Sequence, residues 1–184
     1  MKYRYSGRTQ DKLIDRLERK EKREAIRRDR FFKFKLSEIH NKLTQTLLLK
    51  KIIETEDPQA ISVLIQQGLN KAYKTSEFDF KYFIAPIRNI VARPNPYALY
   101  LTQYLLEVII NDPHVIEIYG TDLEIYQLID GIISEINDRF ERAEKEVFRQ
   151  LAHNKSLTPG SRDYEIALEQ LFNKKIGSGG NPAK

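Results

Sequence analysis

The chain has 184 residues, 41% of them hydrophobic and 31% charged, with no cysteine and a formal net charge of +5. That supplies a core for one domain with an appendage and excludes disulfides, cysteine-ligated zinc and thiol nucleophiles. No apolar run approaches the ~20 residues of a membrane span, and the opening MKYRYSGRTQDK lacks an apolar signal stretch, so a cytoplasmic protein without membrane contact is expected.

Charge is unevenly placed. Residues 1–35 hold fourteen Lys and Arg against six Asp and Glu, while the remainder holds seventeen against twenty. Residues 8–35 contain no Gly or Pro and few apolar positions, which predicts a continuous charged helix. At ~100° per residue, Arg8, Lys12, Arg16, Arg19, Lys20, Arg23, Arg27 and Arg30 fall within an arc of roughly 120° that holds no acid. A stripe of this kind suits an anionic partner, either an acidic protein surface or the phosphates of DNA or RNA. The plainer alternative is a solvated helix held by the i,i+4 pairs Asp15–Arg19, Glu18–Lys22, Glu24–Arg28 and Asp29–Lys33. The aromatics of RFFKFK, Phe31, Phe32 and Phe34, fit core packing at a helix junction, with base stacking as the rival.

From Leu36 the pattern becomes apolar. Leu36, Ile39, Leu43, Leu47, Ile52 and Ile53 predict an amphipathic helix over 36–55. Asp57-Pro58 is a cap followed by a first-turn proline and opens the next helix. Ser76 is the expected cap of a third helix that carries Phe80, Phe83 and Ile87, with Pro86 breaking or kinking it. Asn95-Pro96 starts a helix to about residue 111, whose Tyr97, Tyr100 and Tyr104 share one face. That face suits a groove or an interface, or simply a half-buried bundle surface. HVIEIY after Pro113 has the β-branched content of a strand, but no partner strand is visible, so a short helix or turn is expected.

Thr121-Asp122-Leu123-Glu124 is a capping box that opens the longest helix, about 122–152. Its first half presents the broad face of a bundle core. Its second half narrows to the seam Phe140, Ala143, Val147 and Leu151. Leu13, Leu17 and Ile26 of the first helix are the expected cover for that seam, unless two copies pair through it as a homodimer. A last helix capped near Ser161 precedes a glycine-rich tail. No internal repeat of solenoid length is apparent.

The sequence therefore predicts an all-α fold: a bundle of about five to seven helices with a long charged N-terminal helix and a long helix extending from the bundle. The expected organisation is an arm at 1–35, a bundle domain at 36–175 and a flexible tail at 176–184. His40, His114 and His153 stand in no metal-ligand spacing, and no phosphate loop or nucleophile context occurs, so neither a cofactor nor a metal is expected. The function expected is a non-catalytic interaction or assembly protein that docks on an anionic surface of a protein partner. The alternative is DNA or RNA binding through the same stripe. The third option is an enzyme or small-ligand binder with a Tyr-lined helical pocket.

Overall fold

The computed structural model describes residues 7–74, 91 and 95–177, without the side chains of residues 7–9, 96, 97 and 100. The helix expected after Ser76 lies outside the described residues. Among those described, five α-helices and a two-stranded ribbon follow in the order α1 (Gly7–Leu49), β1 (Ile53–Thr55), α2 (Pro58–Lys74), α3 (Pro96–Ile110), β2 (Val115–Ile118), α4 (Asp122–His153) and α5 (Arg162–Phe172). A π-helical turn, Asn173–Gly177, closes the described chain. The fold is the expected all-α bundle. No described helix is long and apolar enough to cross a membrane.

The caps form as the sequence indicates. Thr121 Oγ1 accepts from the Glu124 amide at 3.3 Å while Glu124 Oε2 accepts from the Thr121 amide at 2.8 Å. Ser161 Oγ accepts from the Tyr164 amide, and Asp57 Oδ1 from the Gln59 amide. Each satisfies an amide that the first helical turn would otherwise leave bare.

Two expectations are corrected at the end of α1. The arm and the first bundle helix are one helix of 43 residues, and it stops at Leu49 instead of running to 55. The stop is a Schellman turn without glycine. The Lys51 amide donates to Leu48 O and the Ile52 amide to Leu47 O, with Lys51 itself at φ 52°. Ile53 therefore enters a strand. HVIEIY is a strand as well, because β1 is the partner that seemed to be missing: Ile53 pairs with Ile118, Glu54 with Glu117, and a bulge follows.

The ribbon joins two equivalent halves. The C-terminal part of α1, β1 and α2 repeats as α3, β2 and α4. Leu43-Thr44-Gln45-Thr46-Leu47-Leu48-Leu49 matches Leu101-Thr102-Gln103-Tyr104-Leu105-Leu106-Glu107. Leu43 and Leu47 are fully buried, as are their counterparts Leu101 and Leu105. Thr44 and Thr102 both turn a hydroxyl back to the carbonyl four residues earlier, at 2.9 and 2.7 Å. Beyond the strands, Ile61, Ile65, Leu69 and Ala72 match Ile125, Ile129, Ile133 and Ile136, all eight buried. Glu54 and Glu117 occupy equivalent positions and face each other across the ribbon, as a local two-fold axis between the strands would place them. α1 packs on α2 and α4, and α3 packs on α2 and α4, so the four helices close into a bundle. The spacing between equivalents is 58 residues in the first helices and 64 in the second, so a search at one fixed period passes over the repeat.

Two extensions lie outside the repeat: α1 before about residue 38 and α4 after about residue 138. They meet each other as an antiparallel pair. Lys42 bonds Glu135, Arg139 bonds Glu38, Phe31 packs edge-on against Phe140 at 5.4 Å, and Arg30 bonds Glu144. α5 folds back on this pair, and Phe172 contacts Phe34, Phe140 and Phe148. Ile176, expected in the tail, is buried here.

Candidate partner-docking site

Phe31, Phe32 and Phe34 settle into the core, the first two almost fully buried and the third stacked on Phe172. N-terminal to them α1 changes character. Every residue from Gln10 to Arg27 is exposed. Leu13, Ile14, Leu17 and Ile26 are 49–58% exposed, so Leu13, Leu17 and Ile26 do not cover the α4 seam as expected. The seam is filled from nearer neighbours. Phe140, Val147 and Leu151 are buried and Ala143 is half-buried, in a cluster with Phe31, Leu168 and Phe172. α4 runs antiparallel to α1 and continues past Glu144 to His153, but the most N-terminal described α1 residue bonded to it is Arg27, so the two helices part there. Gln10–Ile26 thus stands off the body for ~25 Å.

The basic stripe divides at this point. Arg27 pairs with Glu141 and Glu144, and Arg30 bonds Glu144 at 2.8 Å. The Arg30 guanidinium also lies 4.7 Å from the centre of the Phe172 ring and 5.5 Å from that of Phe148. Both arginines are therefore engaged by the fold. Of the outer members, Arg19 donates to Asp15 O at 2.9 Å and Lys20 sits 3.8 Å from Glu24, all solvent-exposed. Lys12, Arg16 and Arg23 have no side-chain partner among the described residues. None of the four expected i,i+4 pairs closes as an ion pair; the contacts found are Lys20–Glu24 and Arg28–Asp29. The side chain of Arg8 is outside the description.

The inner pairing is electrostatically strong. Burial raises the Glu38 carboxyl, but Lys35 and Arg139 outweigh it and hold the group below its usual value. Glu141 behaves the same way, with Asn137 and Arg27 overcoming burial. A hydrogen bond from Lys42 lowers Glu135. Glu135 and Glu141 of α4 are thus committed to α1, and Glu38 of α1 to Arg139 of α4.

Of the tyrosines, Tyr104 is buried, with Lys71 Nζ 5.4 Å from its ring centre. Tyr97 and Tyr100 are described only as helical backbone. The described surface grooves lie elsewhere. One of about 450 Å³ at the root of the arm is lined by Arg30, Lys33, Phe34, Tyr73, Ile166 and Phe172 among others. The three histidines remain apart: His40 bonds Ser62 O, His114 bonds Asp112, and His153 bonds Arg149 O.

Residues 78–180 match the family described as "Protein of unknown function (DUF507)". The match covers more than half of the chain, and the chain belongs to this family. α1 and α2 precede the matched stretch, so the exposed arm lies outside it. No curated protein matches the chain, and no solved structure does.

Proposed function

We propose that this member of the DUF507 family is a non-catalytic interaction protein that docks on an anionic partner through the outer half of α1. One observation carries it. Lys12, Arg16, Arg19, Lys20 and Arg23 share one side of a helix that no other described element covers, while the next two cations along the same side, Arg27 and Arg30, are bound by α4. A surface that the fold leaves cationic and exposed suits attraction of an anion. The bundle supplies the rigid base, and the acidic excess of the remaining chain keeps the stripe distinct from its surroundings.

The test replaces Lys12, Arg16, Arg19, Lys20 and Arg23 with Gln, which keeps helix propensity and removes charge. Affinity capture from lysate, with and without nuclease, compares this variant with the wild type. Docking through the arm predicts that captured partners are lost while the melting temperature is unchanged. Capture of the same partners at the same salt by the variant would return the arm to a solvated helix. Nucleic acid as the partner is distinguished by salt: about five neutralised phosphates give a slope of roughly −4 to −5 in log affinity against log salt. Nuclease then abolishes capture.

A further inference from the structure

We infer that the partner presents an acidic amphipathic helix, which continues the α1–α4 pairing past Arg27, the outermost α1 residue that α4 engages. The inference rests on the arm being the docking site and goes further in naming what docks.

The side of α1 that faces α4 is defined by Lys42, Glu38, Phe31, Arg30 and Arg27, each of which bonds or packs against α4. Carried outward at ~100° per residue, that side passes through Arg23, Lys20, Arg16 and Leu13, with Leu17 on its flank. The composition is of the same kind as that of the part α4 covers: apolar anchors beside a row of cations. The inner portion shows which surface such a side accepts. α4 offers Phe140 to Phe31 and the carboxylates of Glu141 and Glu144 to Arg27 and Arg30. The pairing breaks off after Arg27, where α4, although it runs on to His153, buries Val147 and Leu151 in the cluster with Leu168 and Phe172 of α5, and the composition of the α1 face does not change there. An apolar seam with Glu or Asp along one flank is therefore the complement of the open portion.

A second copy of the arm fits less well. Around the first turns the order is cations, then Leu13, Leu17 and Ile14, then Asp11, Asp15 and Glu18. An antiparallel pair of arms would set cations against cations. A parallel pair would place Lys20 and Glu24 in its seam, which leaves Leu13 and Leu17 as the only apolar seam residues. A phosphate backbone answers the cations but gives Leu13 and Leu17 nothing to bury against.

The full chain is titrated with three fluorescent probes. The first is a synthetic helix of about three heptads with Leu in the seam and Glu on the flanks. The second is its counterpart of equal charge with Gln in the seam, and the third is a DNA duplex of about two turns. The proteins are wild type, the five-Gln charge variant, and a Leu13→Gln/Leu17→Gln variant. Both leucines are exposed, so the last variant folds. The expected result is that the wild type prefers the Leu–Glu helix over its Gln counterpart by about tenfold or more, on the order of burying part of two leucines. The leucine variant loses that preference, and the charge variant loses all binding. If the wild type binds the Gln-seam peptide or the duplex as tightly, and the leucine variant is unaffected, the acidic-helix inference is overturned while anionic docking stands. If no probe distinguishes the wild type from the charge variant, both fail. Sedimentation that shows a dimer dissociated by the leucine changes would overturn the inference in favour of arm–arm pairing.

Discussion

The two halves of α1 share one unbroken helical backbone and differ in what their side chains find. From Phe31 to Leu47 the helix buries Phe31, Phe32, Ile39, Leu43 and Leu47, and it packs on α2 and α4. From Gln10 to Ile26 it buries nothing. Helix propensity and charge are enough to shape the outer half, but only the inner half is fixed by packing. An isolated helix of that length is marginal in water. The outer half is therefore the part whose order a partner can change, and the inner half is the part that a mutation can unfold.

The sharpest contrast is between two apolar residues on the same helix. Phe31→Ala removes a ring buried against Phe140 and should cost about 3–5 kcal/mol. Leu17→Ala should stay within about 0.5 kcal/mol. Chemical denaturation reads both, and equal costs would erase the boundary between the halves.

The cations offer the second contrast. Arg30→Gln breaks its bond to Glu144, a carboxylate whose side chain is only 12% exposed, and should cost about 1–3 kcal/mol. Arg16→Gln, with no partner to lose, should be neutral in the same measurement.

Acid tests the inner pairing as a group. Glu38, Glu135 and Glu141 are held below the usual carboxyl value of 4.5 in the folded protein. The unfolded chain therefore takes up protons first as pH falls. The stability these groups contribute is complete above about pH 4.5 and is lost as pH drops through their folded values. An Arg27→Gln/Arg30→Gln variant should show a shallower loss below that pH. The five-Gln arm variant should follow the wild-type curve.

The smallest effects are gains. A Cβ at Gly131, within α4, meets nothing within 4 Å, so Gly131→Ala should stabilise by about 0.5–1 kcal/mol. Lys51→Gly relieves the left-handed backbone at the Schellman turn and should stabilise by a comparable amount, about 1 kcal/mol. Thermal melts separate these from neutrality. Gly68→Ala should go the other way, because its Cβ would stand 3.0 Å from Leu105 Cδ2 and 3.3 Å from Tyr104 O.

What could be read from the sequence follows from how local each signal is. The Thr121–Glu124 box, the Asp57-Pro58 start and the face of α4 are written within a few residues, and each forms as expected. The ribbon is not local. Ile53 extends the apolar stripe of α1, no glycine marks Lys51 as a stop, and the partner strand lies some sixty residues away. The stripe itself was legible as a set of positions on one side of a helix. Its division at Arg27 was not, because that depends on Glu141 and Glu144 arriving from α4. The same holds for the seam. Its four residues were identified, but the return of α5 that fills it with Leu168 and Phe172 leaves no local mark.

Amide hydrogen exchange along α1 in the protein alone tests the division of that helix most directly. Amides from Phe31 to Leu47 should exchange only through global unfolding, and those from Gln10 to Arg23 orders of magnitude faster, with the change falling between Arg27 and Phe31. Uniform protection along α1 without any partner would contradict it, because the outer half would then be held by contacts that this account denies it.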